Sequence, residues 1–146
     1  MSDSLLLLDA ILREISISKE LTKENIHLLF ILFQETLYEA LYLIENNAVK
    51  RVKCKTERKL YHVKDIILEM NNKTTIIQQP YTCFIYPRYC SCPEFFNFTI
   101  NEQKTLMCRH VLAVILGDTL NILENNDSII DDEEFGELLY RWQVEE

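Results

Sequence analysis

Apolar residues recur at steps of three and four along the first third of the chain. Leu5, Leu8, Leu12 and Ile15 fall on one helical face with Leu7 and Ile11 beside it, and Ser4 is placed to cap them. The pattern predicts a helix from Ser4 to about Ile15. Ser16 to Leu21 reads as a linker. Thr22 then opens a longer helix to about Asn46, in which Ile26, Leu29, Phe30, Phe33, Leu37, Leu41 and Ile44 form one stripe. His27 on this helix reads as a surface or core side chain, not as a ligand.

From Ala48 to Tyr89 the period shortens to β-type runs, "VKRVKC", "KLYHV" and "YTCFIY", which predict a small antiparallel sheet. Between the last two, "IILEMNNKTTIIQQ" is either an inserted loop or one more hairpin turning at Asn71-Asn72. Thr105 is placed to cap a helix from Leu106 to about Glu124. A last helix from Asp131 to Val144 carries Phe135, Leu138, Leu139 and Trp142 on one face, and its acidic first turn suits the positive end of the helix dipole. The expected class is α+β: a helical N-terminal half, a small antiparallel sheet, a finger and a C-terminal helix.

Composition changes this picture little. With 146 residues, 48% of them hydrophobic, the chain fits one compact domain. Its parts are residues 1–47 (N-terminal helices), 48–124 (β segment and finger) and 125–146 (acidic C-terminal helix). No stretch approaches the roughly 20 apolar residues of a membrane span, and no basic leader opens the chain. Charge changes the picture more. After Leu123, nine acidic residues oppose Arg141 alone, while between Lys50 and Lys64 seven basic residues oppose only Glu57. That basic segment is the one place where a nucleic-acid backbone is attracted.

The chemistry is concentrated in "YCSCPEFFNFTINEQKTLMCRH", residues 89–110. Cys90 and Cys92 form one pair and Cys108 and His110 another, and a tetrahedral zinc ion takes two such separated pairs with little backbone strain. In a straight strand Cys90 and Cys92 diverge, so the chain must turn at Ser91, helped by Pro93. Residues two apart on a helix diverge by about 200°. Cys108 and His110 therefore converge only at a loosened first turn, which Thr105 as cap supplies. Three thiolates and one Zn²⁺ carry a charge of −1 that Arg88 and Arg109 are placed to offset. Four protein ligands leave no open position for water, which makes a structural ion the natural reading.

Other readings stay open. A redox pair prefers Cys-x-x-Cys, which is absent, and a Cys-His catalytic dyad leaves the first cysteine pair unexplained. A buried cluster without metal is the remaining alternative. Cys54 and Cys83, outside the pairs, read as small core residues.

Cys-x-Cys followed by Cys-x-His resembles the SWIM zinc finger, and the words "CSCPEF" and "CRHVLAVIL", with Pro93, Phe95 and Ala113, are similar to that family over about residues 81–120. The wider layout, over about residues 22–143, resembles the SWIM-containing subunits of Shu-type recombination complexes. The resemblance implies one structural zinc on Cys90, Cys92, Cys108 and His110 in a ββα finger. It also implies a nuclear protein that pairs with a RecA-like recombinase paralogue and favours recombinase filaments on single-stranded DNA. The segment from Asp65 to Gln79 is longer than that layout requires, and the acidic tail is no signature of it.

No glycine-rich phosphate loop is present, so the chain is expected not to be an enzyme. The main rival is a SWIM adaptor of a ubiquitin ligase. DNA contact by Lys50 to Lys64 is expected to be weak and salt-sensitive, with Phe95, Phe96 and Phe98 either filling the core or stacking on bases. Leu112, Val114, Ile115, Leu116 and Leu120 surround the axis of the zinc helix, which must be covered on every side. Either the chain's own helices cover it, or a partner docks on Leu116, Leu120, Leu123 and Trp142. The leucine run at the N-terminus is a second candidate docking surface.

Overall fold

The structure, a computed structural model, describes residues 2–54, 58–68, 74–76, 80–101, 105–123 and 128–130, with the single positions 133 and 137. The first helix, α1 (Ser2–Ser18), is longer than its apolar stripe, and Ser4 lies inside it instead of capping it. Leu8, Ile11 and Ile15 are its buried face. Lys19, at φ 57, ends it.

The long second helix is two helices. Thr22 caps α2 (Lys23–Phe33) as its side chain suggests, accepting from the Asn25 amide at 3.1 Å. At Gln34 the backbone turns to φ 54, ψ −134, and α3 (Glu35–Glu45) starts anew. Of the predicted stripe, Leu29, Phe33 and Leu37 are buried and Ile26, Phe30, Leu41 and Ile44 half-buried against the core, while after the break Ala40 and Leu43 are the buried positions. Asn47, at φ 54, closes α3 with a Schellman pair in which Ala48 donates to the Leu43 carbonyl and Asn47 to that of Ile44.

Strands β1 (Val49–Cys54), β2 (Lys59–Val63), β5 (Tyr81–Phe84) and β6 (Tyr89–Cys90) form an antiparallel ladder in the order β6-β5-β2-β1. Between β2 and β5, β3 (Ile66–Leu68) and β4 (Thr74–Ile76) pair antiparallel as a separate two-stranded sheet, as the hairpin reading of this insert expects, while the turn expected at Asn71-Asn72 lies outside the described residues. A fifth strand was not expected. β7 (Ser128–Ile130) joins the sheet parallel to β1, with Val52 opposite Ser128, where the sequence suggested only the approach to a last helix. That last helix, with Trp142, lies outside the described residues apart from helical positions at Glu133 and Glu137. The α+β class holds.

The finger helix is shorter than its apolar pattern. After a π-helical segment (Phe95–Asn101), α4 runs only over Arg109–Leu120. Thr105 is not its cap: the N-cap is Cys108, extended at φ −79, ψ 169, while the Thr105 hydroxyl pairs with that of Thr99 at 2.9 Å. At the other end Asn121 adopts the left-handed conformation and Ile122 donates to the Gly117 carbonyl, stopping the helix before Glu124.

Every residue from His110 to Gly117 is buried. α4 lies against α1 and α3 and also against β1, β2, β5 and β6, so the chain itself covers this part of the helix. Full burial of a Leu, Ile or Val side chain stabilises by about 1.5–3 kcal/mol, which makes Val111, Leu112, Val114, Ile115 and Leu116 the anchor of the core. Leu116 and Leu123 are buried at 0% and 2%, so they do not form an open docking face. Arg51 is buried as well and leaves the basic surface of β1.

Candidate metal centre

Cys90 ends β6, and Cys92 follows across a bend at the start of the turn into the π-helical segment. The bend is fixed by Ser91, whose amide donates to the Thr82 carbonyl at 3.0 Å and whose hydroxyl accepts from the Thr82 amide at 3.0 Å. Ser91 thereby continues the pairing with β5, and the bend falls at Cys92, one residue beyond the turn at Ser91 that the spacing demanded. Cys108 and His110 converge by a different route from the expected one. Cys108 stays outside the helix in an extended conformation and His110 stands in its first turn, so the helical angle between them never arises.

The sulfurs of Cys90, Cys92 and Cys108 and a ring nitrogen of His110 all lie within 4.8 Å of one another, and all four residues are buried. With zinc–sulfur bonds of about 2.3 Å, a tetrahedral site has ligand atoms roughly 3.8 Å apart, so the donor set and its dimensions fit zinc. The four sequence-selected residues are thus the ones brought together. The Cys92 sulfur also accepts the Phe95 amide at 3.3 Å, which favours a thiolate.

The electrostatics of the cluster point the same way. Hydrogen bonds from Cys108 and then Cys90 push the Cys92 thiol far down, while the Cys108 thiol is pushed up by its bonds to Cys90 and Cys92 and by burial. A divalent cation bound among the sulfurs would hold all three as thiolates. Burial lowers the His110 pKa, but the nearby Asp65 carboxylate and then the Cys108 and Cys92 sulfurs outweigh it and raise it to about 11.

The surroundings differ from the expectation. Neither arginine is paired with the thiols. Arg88 reaches Asp9 on α1 at 3.5 Å. Arg109 is gripped by carboxylates: Nη2 and Nε meet the two oxygens of Asp65 at 2.9 and 3.2 Å, and Nη1 meets Glu94 at 2.8 and 3.0 Å and Glu39 at 3.5 Å. Asp65, 1% exposed, sits beside His110 as well, with 2.9 Å between Oδ1 and Nε2. Sequence reasoning missed Asp65, Glu94 and Glu39, which carry no motif.

Cys83 is fully buried and stands opposite Cys90 across the β5–β6 ladder; burial raises its thiol pKa. Its reading as a small core residue holds. Cys54 lies in β1, with its side chain outside the description. Of the three phenylalanines, Phe95 fills the core, whereas Phe96 and Phe98 are 57% and 42% exposed. Among the described residues no helix is long and apolar enough to cross a membrane.

No protein-family model and no solved structure matches the chain. Curated relatives do. It is 27% identical over 135 residues to zinc finger SWIM domain-containing protein 7 of Danio rerio, a match spanning 92% of this chain and 88% of that protein. The proteins of the same name from Homo sapiens and Mus musculus are 29% and 31% identical over 89 and 88 residues, about 60% of this chain. Those two matches cover 56% and 51% of the human and mouse proteins. The chain is thus similar to proteins named for a SWIM zinc finger, and it brings together a Cys3His group of its own at SWIM spacing.

Proposed function

We propose that the chain is a non-catalytic subunit of a Shu-type assembly, holding one structural zinc ion on Cys90, Cys92, Cys108 and His110. It pairs in the nucleus with a RecA-like recombinase paralogue and promotes recombinase filament assembly in homologous-recombination repair. The observation that carries this reading is the buried Cys3His group itself. Four protein donors closed off from water supply a structural clamp joining β6 to α4, and leave no open position for substrate or hydroxide. When bound, the ion supplies cross-linking charge only; the protein's own residues shape the domain around it.

Partner contact falls to surfaces other than Leu116 and Leu123. Leu6 on the N-terminal leucine run is 68% exposed, and Phe96 and Phe98 stand out beside the finger. For DNA, Lys50, Arg58, Lys59 and Lys64 are the exposed basic residues on or beside β1 and β2. With Arg51 removed from that surface and a net charge of −8, contact by the isolated chain is weak and salt-sensitive, and tight binding resides in the complex.

The test is co-purification of the tagged chain from nuclear extract, with mass and metal analysis. RecA-like paralogues and one zinc per chain are the expected yield. Ubiquitin-conjugating enzymes in their place would replace this reading with the ligase-adaptor one.

A further inference from the structure

We propose that Asp65 is a positioning residue for His110: it occupies the Nε2 side of the ring, so that the Cys3His group takes its metal on Nδ1. The inference rests on the zinc reading and adds to it the ligand atom and the residue that selects it.

The chemistry begins with the ring. A neutral imidazole has one nitrogen that carries a proton and one with a free lone pair, and only the latter binds a metal. Which is which depends on what each nitrogen faces. Nε2 faces Asp65 Oδ1 at 2.9 Å. Asp65 is not one of the four residues whose donor atoms gather within 4.8 Å of one another, so it stands beside the group and not in it. A carboxylate beside Nε2 keeps the proton there, and the lone pair is left on Nδ1.

Nδ1 is buried and has no hydrogen-bond partner among the described residues, the condition of an atom whose partner is a metal ion. Nε2 also lacks an aligned bond, since Oδ1 is at hydrogen-bond distance but off the N–H direction.

Asp65 itself is held firmly. Both of its oxygens accept from Arg109, at 3.2 and 2.9 Å, and Arg109 is braced from the other side by Glu94 at 2.8 Å. Arg109 is the chain neighbour of His110, so one turn of α4 supplies both the ligand and the guanidinium that fixes the ligand's orienting carboxylate. Asp65 comes from the junction between β2 and β3, which ties the inserted hairpin to the metal site. Carboxylate–histidine–metal relays of this kind fix the ring and raise its basicity, and losing the carboxylate typically costs 10–100-fold in metal affinity.

The experiment uses the full chain with ¹⁵N-labelled histidine. Zinc content is measured first, and the zinc-loaded protein is then read by multiple-bond ¹H–¹⁵N NMR. The expected spectrum shows His110 protonated at Nε2 and metal-bound at Nδ1. In chelator competition Asp65→Ala is expected to weaken zinc about 10–100-fold. Asp65→Asn, whose amide oxygen still accepts from Nε2–H, should recover part of the loss and keep the Nδ1-bound signature. Zinc bound through Nε2 in the wild-type protein overturns this inference alone, and that measurement stands even if the Ala variant fails to fold. Unchanged affinity and tautomer in a folded Asp65→Ala protein also overturn it. Absence of zinc from the wild-type protein overturns the metal reading and this inference with it.

Discussion

Arg51 on β1 and Asp118 on α4 are joined by a 2.8 Å bond from Nη1 to Oδ1, with the arginine side chain only 6% exposed. Tyr61 Oη donates to the same oxygen at 2.9 Å. The pair pins the sheet to the C-terminal half of the finger helix. Removing Asp118 takes this carboxylate from a buried guanidinium, and breaking such a pair costs roughly 3–5 kcal/mol when both partners are buried. Asp118 is 27% exposed, so Asp118→Ala is expected at the low end, near 3 kcal/mol in urea denaturation of the zinc-loaded protein. Tyr61→Phe, which deletes one neutral donor, should cost only about 1 kcal/mol. Equal losses in the two variants would show that the ion pair is not what holds this corner.

Next to Asp118 in the chain, Gly117 is buried with no room for a methyl group. A Cβ there would stand 2.9 Å from Leu123 Cδ2 and 3.0 Å from its Cγ, and Leu123 is itself buried. Replacing Gly by Ala inside a helix ordinarily gains about 1 kcal/mol. Here the displacement of Leu123 outweighs that gain, because overpacking a filled core costs about 1–3 kcal/mol. Gly117→Ala should therefore destabilise, by about 1 kcal/mol net. In the background of Leu123→Ala the same substitution should turn stabilising, and a double-mutant cycle without that change of sign would refute the clash.

A metal ion on the Cys3His group would tie the end of β6 to the start of α4. β6 is two residues long, and the loop after it meets α4 at the Cys3His group. Structural zinc contributes roughly 10–16 kcal/mol in small fingers, against about 5–15 kcal/mol for the stability of a whole domain. Cys108→Ser, or stripping with a strong chelator, is expected to collapse the finger and lower the melting temperature sharply. Near-ultraviolet circular dichroism should report it through Tyr89 and Phe95, whose rings meet edge to face at 5.9 Å. A soluble Cys108→Ser protein, fully folded and free of zinc, would count against the assignment.

Acid should weaken the fold through His62 as well as through the metal. Burial, and then the charge of Lys50 directly opposite on β1, lower its pKa to about 4. Its folded pKa lies below the unfolded value near 6.5, so the unfolded chain binds the extra proton between those limits. The stability it contributes is present above pH 6.5 and is lost as pH falls toward 4. Because the ring is only partly buried, the loss is put at about 1–2 kcal/mol rather than the full value of the shift. Acid also displaces zinc, so the measurement is a difference: His62→Gln should lose less stability than wild type between pH 7 and pH 5, in urea titrations at matched free zinc. Parallel losses in the two proteins would remove His62 from the account.

The metal ligands were legible because each pair is local and metal spacing is a one-dimensional signal: Cys90 with Cys92, Cys108 with His110. Their buttress was not, since Arg109 meets Asp65 and Glu94 across 44 and 15 residues and ion pairs leave no periodic trace. β7 was missed for a related reason. Ser128–Ile130 is three residues inside an acidic segment, too short to show alternation, and its pairing with β1 is tertiary. Helix ends depend on single backbone angles. Thr22 announced its cap through its side chain, whereas Cys108 caps α4 by conformation alone, without a side-chain hydrogen bond.

The break between α2 and α3 shows the same limit and yields a test. No glycine or proline marks it, and apolar residues continue at helical spacing across it, so periodicity reads one helix where there are two. The turn is taken by Gln34 at φ 54, ψ −134, a conformation that favours glycine because a Cβ crowds the backbone there. Such a residue stores about 1–3 kcal/mol of strain. Gln34 does gain a bond from its side-chain amide to the Ile31 carbonyl at 3.2 Å, but it is exposed and therefore weak. Gln34→Gly relieves the strain, loses that bond and adds freedom to the unfolded chain, for an expected net gain of about 0.5–1 kcal/mol. Gln34→Ala keeps the strained Cβ and should gain nothing. A continuous helix through residue 34 would reverse the order, making Ala the stabilising substitution and Gly the costly one, so the ranking of the two variants in urea decides between one helix and two.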